Sequence, residues 1–157
     1  MRKRRLLGDD DRRTLVSATS LAIDLHKLGE IQAARDMNED TLARCRRLFG
    51  DNHPNTLSSA INLANDLRAR GEMHAARELD ENTLAGLRRV RGNDHPDTLG
   101  SASNLALDLR ALGEYQRARE LDEDTLVRRR RVLGEDHPST QRTARSLAAD
   151  LRALGEE

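Results

Sequence analysis

The sequence predicts an all-α fold, a solenoid of antiparallel helix pairs. Three observations predict it. One unit of 42 residues repeats along almost the whole 157-residue chain. Each copy carries two apolar patterns at helical spacing, separated by glycine. The composition removes the main rival: there is one Tyr, one Phe and no Trp, against 34% charged residues. Strand-rich cores lean on aromatic and β-branched side chains, so an all-β fold or a sheet-based cofactor enzyme is disfavoured.

The period is legible at several positions. Gly8, Gly50, Gly92 and Gly134 recur 42 residues apart, and Gly29, Gly71, Gly113 and Gly155 keep the same step. So do Asp24, Asp66, Asp108 and Asp150, and the dipeptide His-Pro beginning at His53, His95 and His137. The chain therefore divides as one array, 1–157, with repeats at 8–49, 50–91 and 92–133 and a partial repeat at 134–157.

Within the copy at 50–91, Gly50-Asp51-Asn52-His53-Pro54 reads as a helix stop followed by a start. Asp51 and Asn52 are the expected N-caps, and Pro54 suits the first turn. Leu57, Ala60, Leu63, Ala64 and Leu67 then form one apolar stripe, and Gly71 is expected to end that helix in a left-handed cap. A turn of about two to four residues leads into the second helix and forces an antiparallel pair. The second helix carries Ala76, Leu79, Thr83, Leu84, Leu87 and Val90 on its apolar side. Second helices are expected to begin acidic (Glu78, Asp80, Glu81; Glu120, Asp122, Glu123, Asp124) and to end basic (Arg88, Arg89, Arg91; Arg128 to Arg131), which complements the helix dipole. Asp40 with Arg44 and Asp124 with Arg128 are spaced for i,i+4 pairs. Arg128 to Arg131 and the basic residues at 2–5 both read as solvated faces, the latter as the tail of another second helix at 2–7. Residues 138–154 read as a first helix without its partner. Leu147, Leu151 and Leu154 are then expected to stay exposed, as in a piece of a longer array or a protein that pairs end to end through them.

Net charge is zero, with 27 basic and 27 acidic residues, which argues against nucleic acid as a partner. All but two of the basic residues are Arg, the lysines being Lys3 and Lys27; this fits the codon bias of a GC-rich bacterial genome. No apolar run is long enough to span a membrane, and the basic start lacks the apolar stretch of a secretory signal. A cytoplasmic setting is expected. Cys45 is the lone cysteine, so a disulfide framework is excluded. It is expected as a half-exposed small hydrophobe in the slot of Leu87 and Arg129. No phosphate loop, His-Glu-x-x-His or paired-Cys motif is present, so neither catalysis nor a cofactor is expected. His53, His95 and His137 cannot converge on one ion from successive repeats, and each is expected to cap or pack a turn. Asp66 with Arg77, and Asp108 with Arg119, are expected to pair across the helix–helix turn.

The stretch Asn104-Leu105-Ala106-x-x-Leu109-x-x-x-Gly113-x-Tyr115-x-x-Ala118-x-x-Leu121 resembles the tetratricopeptide repeat signature. The usual period is about 34 residues. The longer unit here, with Gly-x-Asp-His-Pro-x-Thr-Leu between copies, resembles the kinesin light chain type, and more closely the repeats of bacterial regulatory ATPases of the nucleotide-binding, oligomerising class. Asp122 departs from the pattern, standing where the general repeat has a large apolar residue.

The resemblance implies a right-handed solenoid whose first helices line a concave groove, acting as a protein-interaction module within a larger regulatory protein. It places Ser58, Ile61, Asn62, Asn65 and Arg68 on the groove, followed by Ser103, Asn104, Leu107, Arg110, Arg142, Arg145 and Arg152. Asn62 and Asn104 match the family's Asn that bonds a bound peptide backbone; Ser20 and Ser146 replace it in the outer copies. His26, Arg68, Arg110 and Arg152 form a ladder whose arginines favour acidic side chains or a terminal carboxylate. The rival expectation is a structural array that self-associates.

Overall fold

The computed structural model describes residues 11–156. The basic tail at 2–7 lies outside the described residues. Seven α-helices and no strands occur among the described residues: α1 (Arg12–Lys27), α2 (Ile31–Phe49), α3 (Pro54–Ala69), α4 (Met73–Arg91), α5 (Pro96–Ala111), α6 (Tyr115–Leu133) and α7 (Pro138–Leu154). No helix among them is long and apolar enough to cross a membrane. The chain forms two compact units, the first through Leu79 and the second from Asp80, with the division falling inside α4.

The first unit packs α1 on α2 and α2 on α3. Its core joins Leu42, Ala60, Leu63, Leu67 and Ala76, with Leu79 packed against them. Ala22, Ala34, Ala64 and Ala76 are fully buried, and side chains this small let helix axes approach closely. The second unit repeats the design: Leu84, Ala102, Leu105, Leu109 and Ala118 form its core, with Leu121 against it. Each buried leucine contributes about 1.5–3 kcal/mol. Val90 departs from the expected stripe and is 46% exposed.

Turn chemistry holds each pair. After α3, Gly71 adopts φ 78°, Glu72 N–H donates to Leu67 C=O and Gly71 N–H to Arg68 C=O. That is a Schellman motif, and it needs a residue tolerant of positive φ. Gly113 repeats it, with bonds from Glu114 to Leu109 and from Gly113 to Arg110.

The N-caps bear out the expectation for the histidines and correct the one for Asp51 and Asn52. The capping residues are His53, His95 and His137, not Asp51 and Asn52: each imidazole Nδ1 accepts the N–H two residues on, at Asn55 (3.2 Å), Asp97 (3.1 Å) and Ser139 (3.1 Å). Proline fills N1 in all three helices, so the donor at N2 is the first that needs an acceptor. The acidic starts of the second helices are also corrected. The first turns of α2, α4 and α6 hold no acid, and the named carboxylates begin a turn later, beyond the reach of the dipole effect, while Glu30 and Glu114 stand at the N-cap positions of α2 and α6. The basic last turns are present. Leu147, Leu151 and Leu154 are half-buried rather than exposed, because α7 packs against α6.

Candidate functional site

In the first unit, α3 displays Ser58 exposed and Ile61, Asn62, Asn65 and Arg68 half-buried. Helical spacing of three and four brings the last four onto one face. Asn62, Asn65 and Arg68 meet His26 and Lys27 of α1 and Asn38 of α2 around an open recess of about 510 Å³. Arg68 Nη1 donates to Asn65 Oδ1 at 2.8 Å. The side-chain amide of Asn62 forms no hydrogen bond with any described residue.

The floor of the recess is a buried polar triad. Asp66 is 1% exposed. His26 Nδ1 donates to its Oδ1 at 2.6 Å and Asn38 Nδ2 to its Oδ2 at 2.6 Å. Asn38 is itself 1% exposed, and its Oδ1 has no partner among the described residues. The expected pairing of Asp66 with Arg77 does not form. Asp66 faces residues of the preceding repeat, so both of its oxygens are taken.

The second unit builds the corresponding triad from charged groups. Arg110 donates from Nε to Asp150 Oδ1 (2.6 Å), and from Nη2 to Asp150 Oδ2 (2.9 Å) and Asp122 Oδ2 (2.8 Å). Asp122 and Asp150 are both buried. Burial raises the Asp122 carboxyl to about 6; Arg110 opposes that rise and Asp150 adds to it. The bonds to Asp150 raise Arg110 above its ordinary value. Asp108 and Arg119 do not pair either: Arg119 bonds Glu123 (2.9 Å) and Glu156 (2.7 Å).

On the α5 face, Ser103 and Asn104 are half-buried and Leu107 is 45% exposed. Ser103 Oγ donates to Leu99 C=O, one turn back on its own helix. The Asn104 amide, like that of Asn62, forms no hydrogen bond with a described residue. Arg110 is committed to two carboxylates, which removes it from the set able to greet a ligand. On α7, Arg142, Arg145 and Arg152 are exposed; Arg152 Nε bonds the Ala148 carbonyl at 3.0 Å, while the Arg145 side chain has no hydrogen bond or ion pair with a described residue.

Two further expectations are corrected. Cys45 is buried, 2% exposed, and its Sγ lies 3.8 Å from Ser59 Oγ; desolvation pushes its thiol pKa up. Arg129, in the equivalent slot, is 4% exposed and not part of a solvated face. Its guanidinium donates to Leu99 C=O (2.9 Å), Ser139 C=O (3.0 Å) and the Thr143 hydroxyl, and burial lowers its pKa. Its neighbours do lie in acid-matched surroundings: Arg128 bonds Asp124 and Asp94, Arg130 bonds Glu135, and Arg131 bonds Asp94. The expected i,i+4 bond of Arg44 to Asp40 forms at 2.9 Å. The position that sequence reasoning missed is Asn38, whose counterpart is Asp122. The signal is present in the chain, since the residue there changes from amide to carboxylate as the ladder residue changes from His26 to Arg110.

Helix pairs repeated at 42 residues, each closed by a Schellman turn, define an all-α helical-repeat protein of the solenoid class. A tetratricopeptide-repeat family model matches residues 17–78, and a second matches residues 98–139. Among solved structures, a single-substitution variant of a candidate kinesin light chain from Podosopora anserina, with nearly identical TPR-like repeats, aligns at 28% identity. That alignment has a TM-score of 0.88 and covers 99% of this chain and 73% of the other. A second structure of that protein aligns at 30% identity, with a TM-score of 0.84, over 90% of this chain and 67% of its own. BtubC (BKLC) from P. vanneervenii, at 19% identity and a TM-score of 0.84 over 91% of this chain and 57% of its own, shares the fold. A search of curated proteins finds no match. The chain belongs to the tetratricopeptide repeat family, in its kinesin-light-chain-like form, and is a protein-interaction repeat module.

Proposed function

We propose that the module binds extended peptide of a protein partner along the faces of its first helices, with Asn62 in the first unit and Asn104 in the second as backbone contacts. One observation carries this reading. Both side-chain amides are half-buried and hydrogen-bond to nothing described, while neighbouring polar groups are engaged, Arg68 with Asn65 and Arg110 with Asp122 and Asp150. An amide offers donor and acceptor together, as a peptide backbone does. Arg110 does not support a preference for acidic ligands, since its donors are taken by its own carboxylates. No catalytic step belongs to this reading, and its setting is cytoplasmic.

The test is selection of unstructured peptides displayed on phage, followed by titration of the enriched sequences against wild type, Asn62→Ala and Asn104→Ala. The reading predicts that each variant loses about 10-fold in affinity, as removing one buried hydrogen-bonding group does, with unchanged thermal unfolding. Equal affinity for all three proteins would reject it.

A further inference from the structure

Two helix faces stand open at repeat positions that are covered elsewhere in the chain. On α1, Ser17, Leu21, Asp24 and Leu28 follow at steps of four, three and four, which sets them in one stripe. Leu21 is 49% exposed, whereas its counterparts Leu63 and Leu105 are 8% and 7% exposed. Asp24 is exposed too, whereas Asp66, Asp108 and Asp150 are buried. The Asp24 carboxylate has no hydrogen bond or ion pair with a described residue. Lys27 lies off the stripe, since its counterparts Ala69 and Ala111 are exposed. On α7, Ala148 is exposed, although its counterparts Ala64 and Ala106 are buried. Arg152, one turn on, is exposed and donates to the Ala148 carbonyl of its own helix. Its counterparts reach outward: His26 bonds Asp66 and Arg110 bonds Asp150, each time the aspartate of the next first helix. Among the described residues, Arg152 is thus a ladder cation without an aspartate, and Asp24 an aspartate without a ladder cation.

We propose that these two faces meet between copies of this chain, α7 of one copy against α1 of another, with Arg152 on Asp24 in the register by which Arg110 meets Asp150. Charge complementarity selects the second copy. Asp24 is the single acid of α1 and is exposed; Asp150, the single acid of α7, is buried under Arg110, so the exposed charges of α7 are all arginines. The Arg152 guanidinium can serve both oxygens of Asp24, as Arg110 serves both oxygens of Asp150 at 2.6 and 2.9 Å. Apolar surface lies beside each partner. Leu21 and Leu28, the latter 77% exposed, flank Asp24, and Ala148 and half-buried Leu151 flank Arg152. Covering them removes apolar area from water, while the ion pair fixes the register and disfavours like-charged alternatives. The contact joins different faces of two copies, so it is heterologous, and association continues past the dimer unless the assembly closes into a ring. Neither Asn62 nor Asn104 takes part, so this inference stands apart from the peptide reading.

The test is sedimentation velocity of the whole chain across a concentration series, with two charge reversals. The wild type is expected to associate with a dissociation constant on the order of 100 µM, in the range of small transient interfaces. Asp24→Arg and Arg152→Asp each set like charges opposite one another, and each is expected to weaken association at least about 10-fold. Both substitutions fall at exposed positions, and unchanged thermal unfolding checks that the variants fold. An equimolar mixture of the two variants supplies the decisive arm. Every junction between unlike chains then brings opposite charges together, so the mixture is expected to associate within about 3-fold of wild type, the signature of a coupled pair. A wild type that stays monomeric to about 1 mM, single variants that associate as tightly as wild type, or a mixture no stronger than its components would each overturn the proposal. The wild-type series stands even if a variant misfolds.

Discussion

The two units solve one problem with different charges. Each must bury an aspartate at the end of a first helix, Asp66 in one and Asp150 in the other. The first unit surrounds it with a histidine and an amide; the second surrounds it with an arginine and a second carboxylate. The substitutions come as a set. Two buried carboxylates need a full positive charge between them, whereas one carboxylate needs only two donors. The comparison shows that the polar positions of the repeat are chosen together, while the leucine and alanine positions around them barely change.

The largest expected effect comes from removing the shared cation. Arg110→Ala strands Asp122 and Asp150 together in the second unit. Breaking a buried pair by deleting one partner costs about 3–5 kcal/mol. Urea unfolding at neutral pH should show that loss, and a smaller loss near pH 5, where Asp122 takes up a proton. A loss below about 1 kcal/mol would mean the triad behaves like a surface pair.

A somewhat smaller effect separates the units by pH. The Asp122 carboxyl sits at about 6 in the fold against an ordinary 3.8. Its protonated form therefore favours the folded state: the contribution is fully present below about pH 4 and is lost as pH rises through about 6, a change of about 2–3 kcal/mol. Asp122→Asn, which copies Asn38, should be more stable than wild type at pH 7 and lose that advantage near pH 4. Stability profiles that run parallel from pH 4 to 7 would show that Asp122 titrates normally.

Much of this architecture is legible in the sequence. Periodic glycines and leucines place the helix pairs because backbone conformation and apolar burial are local or strictly periodic demands. The ladder of His26, Arg68, Arg110 and Arg152 and the aspartates from Asp24 to Asp150 are visible too, but their partners are not. Spacing within a repeat favours Asp66 with Arg77; packing puts Asp66 beside His26 and Asn38 instead, because Asp66 faces back toward the preceding first helix, as Asp150 does toward Arg110. The caps depart from local preference for a similar reason: Asp51 and Asn52 have the stronger intrinsic preference, yet proline at N1 sets the start one residue later, at His53. Arg129 is hidden within a basic run, where composition cannot separate one buried guanidinium from three accessible ones. The groove amides Asn62 and Asn104 come from family resemblance, and the geometry adds that they are uncommitted among the described residues.

The most direct test of charge matching is a double-mutant cycle in the first unit. Asn38→Asp, His26→Arg and the combined variant are compared with wild type by urea unfolding at pH 7. Asn38→Asp alone should cost about 2–3 kcal/mol, by placing a second carboxylate beside Asp66 without a strong cation. Adding His26→Arg should recover most of that loss, a coupling of about 2 kcal/mol. If the two effects simply add, the residues of the triad are independent and charge matching is not what sets them.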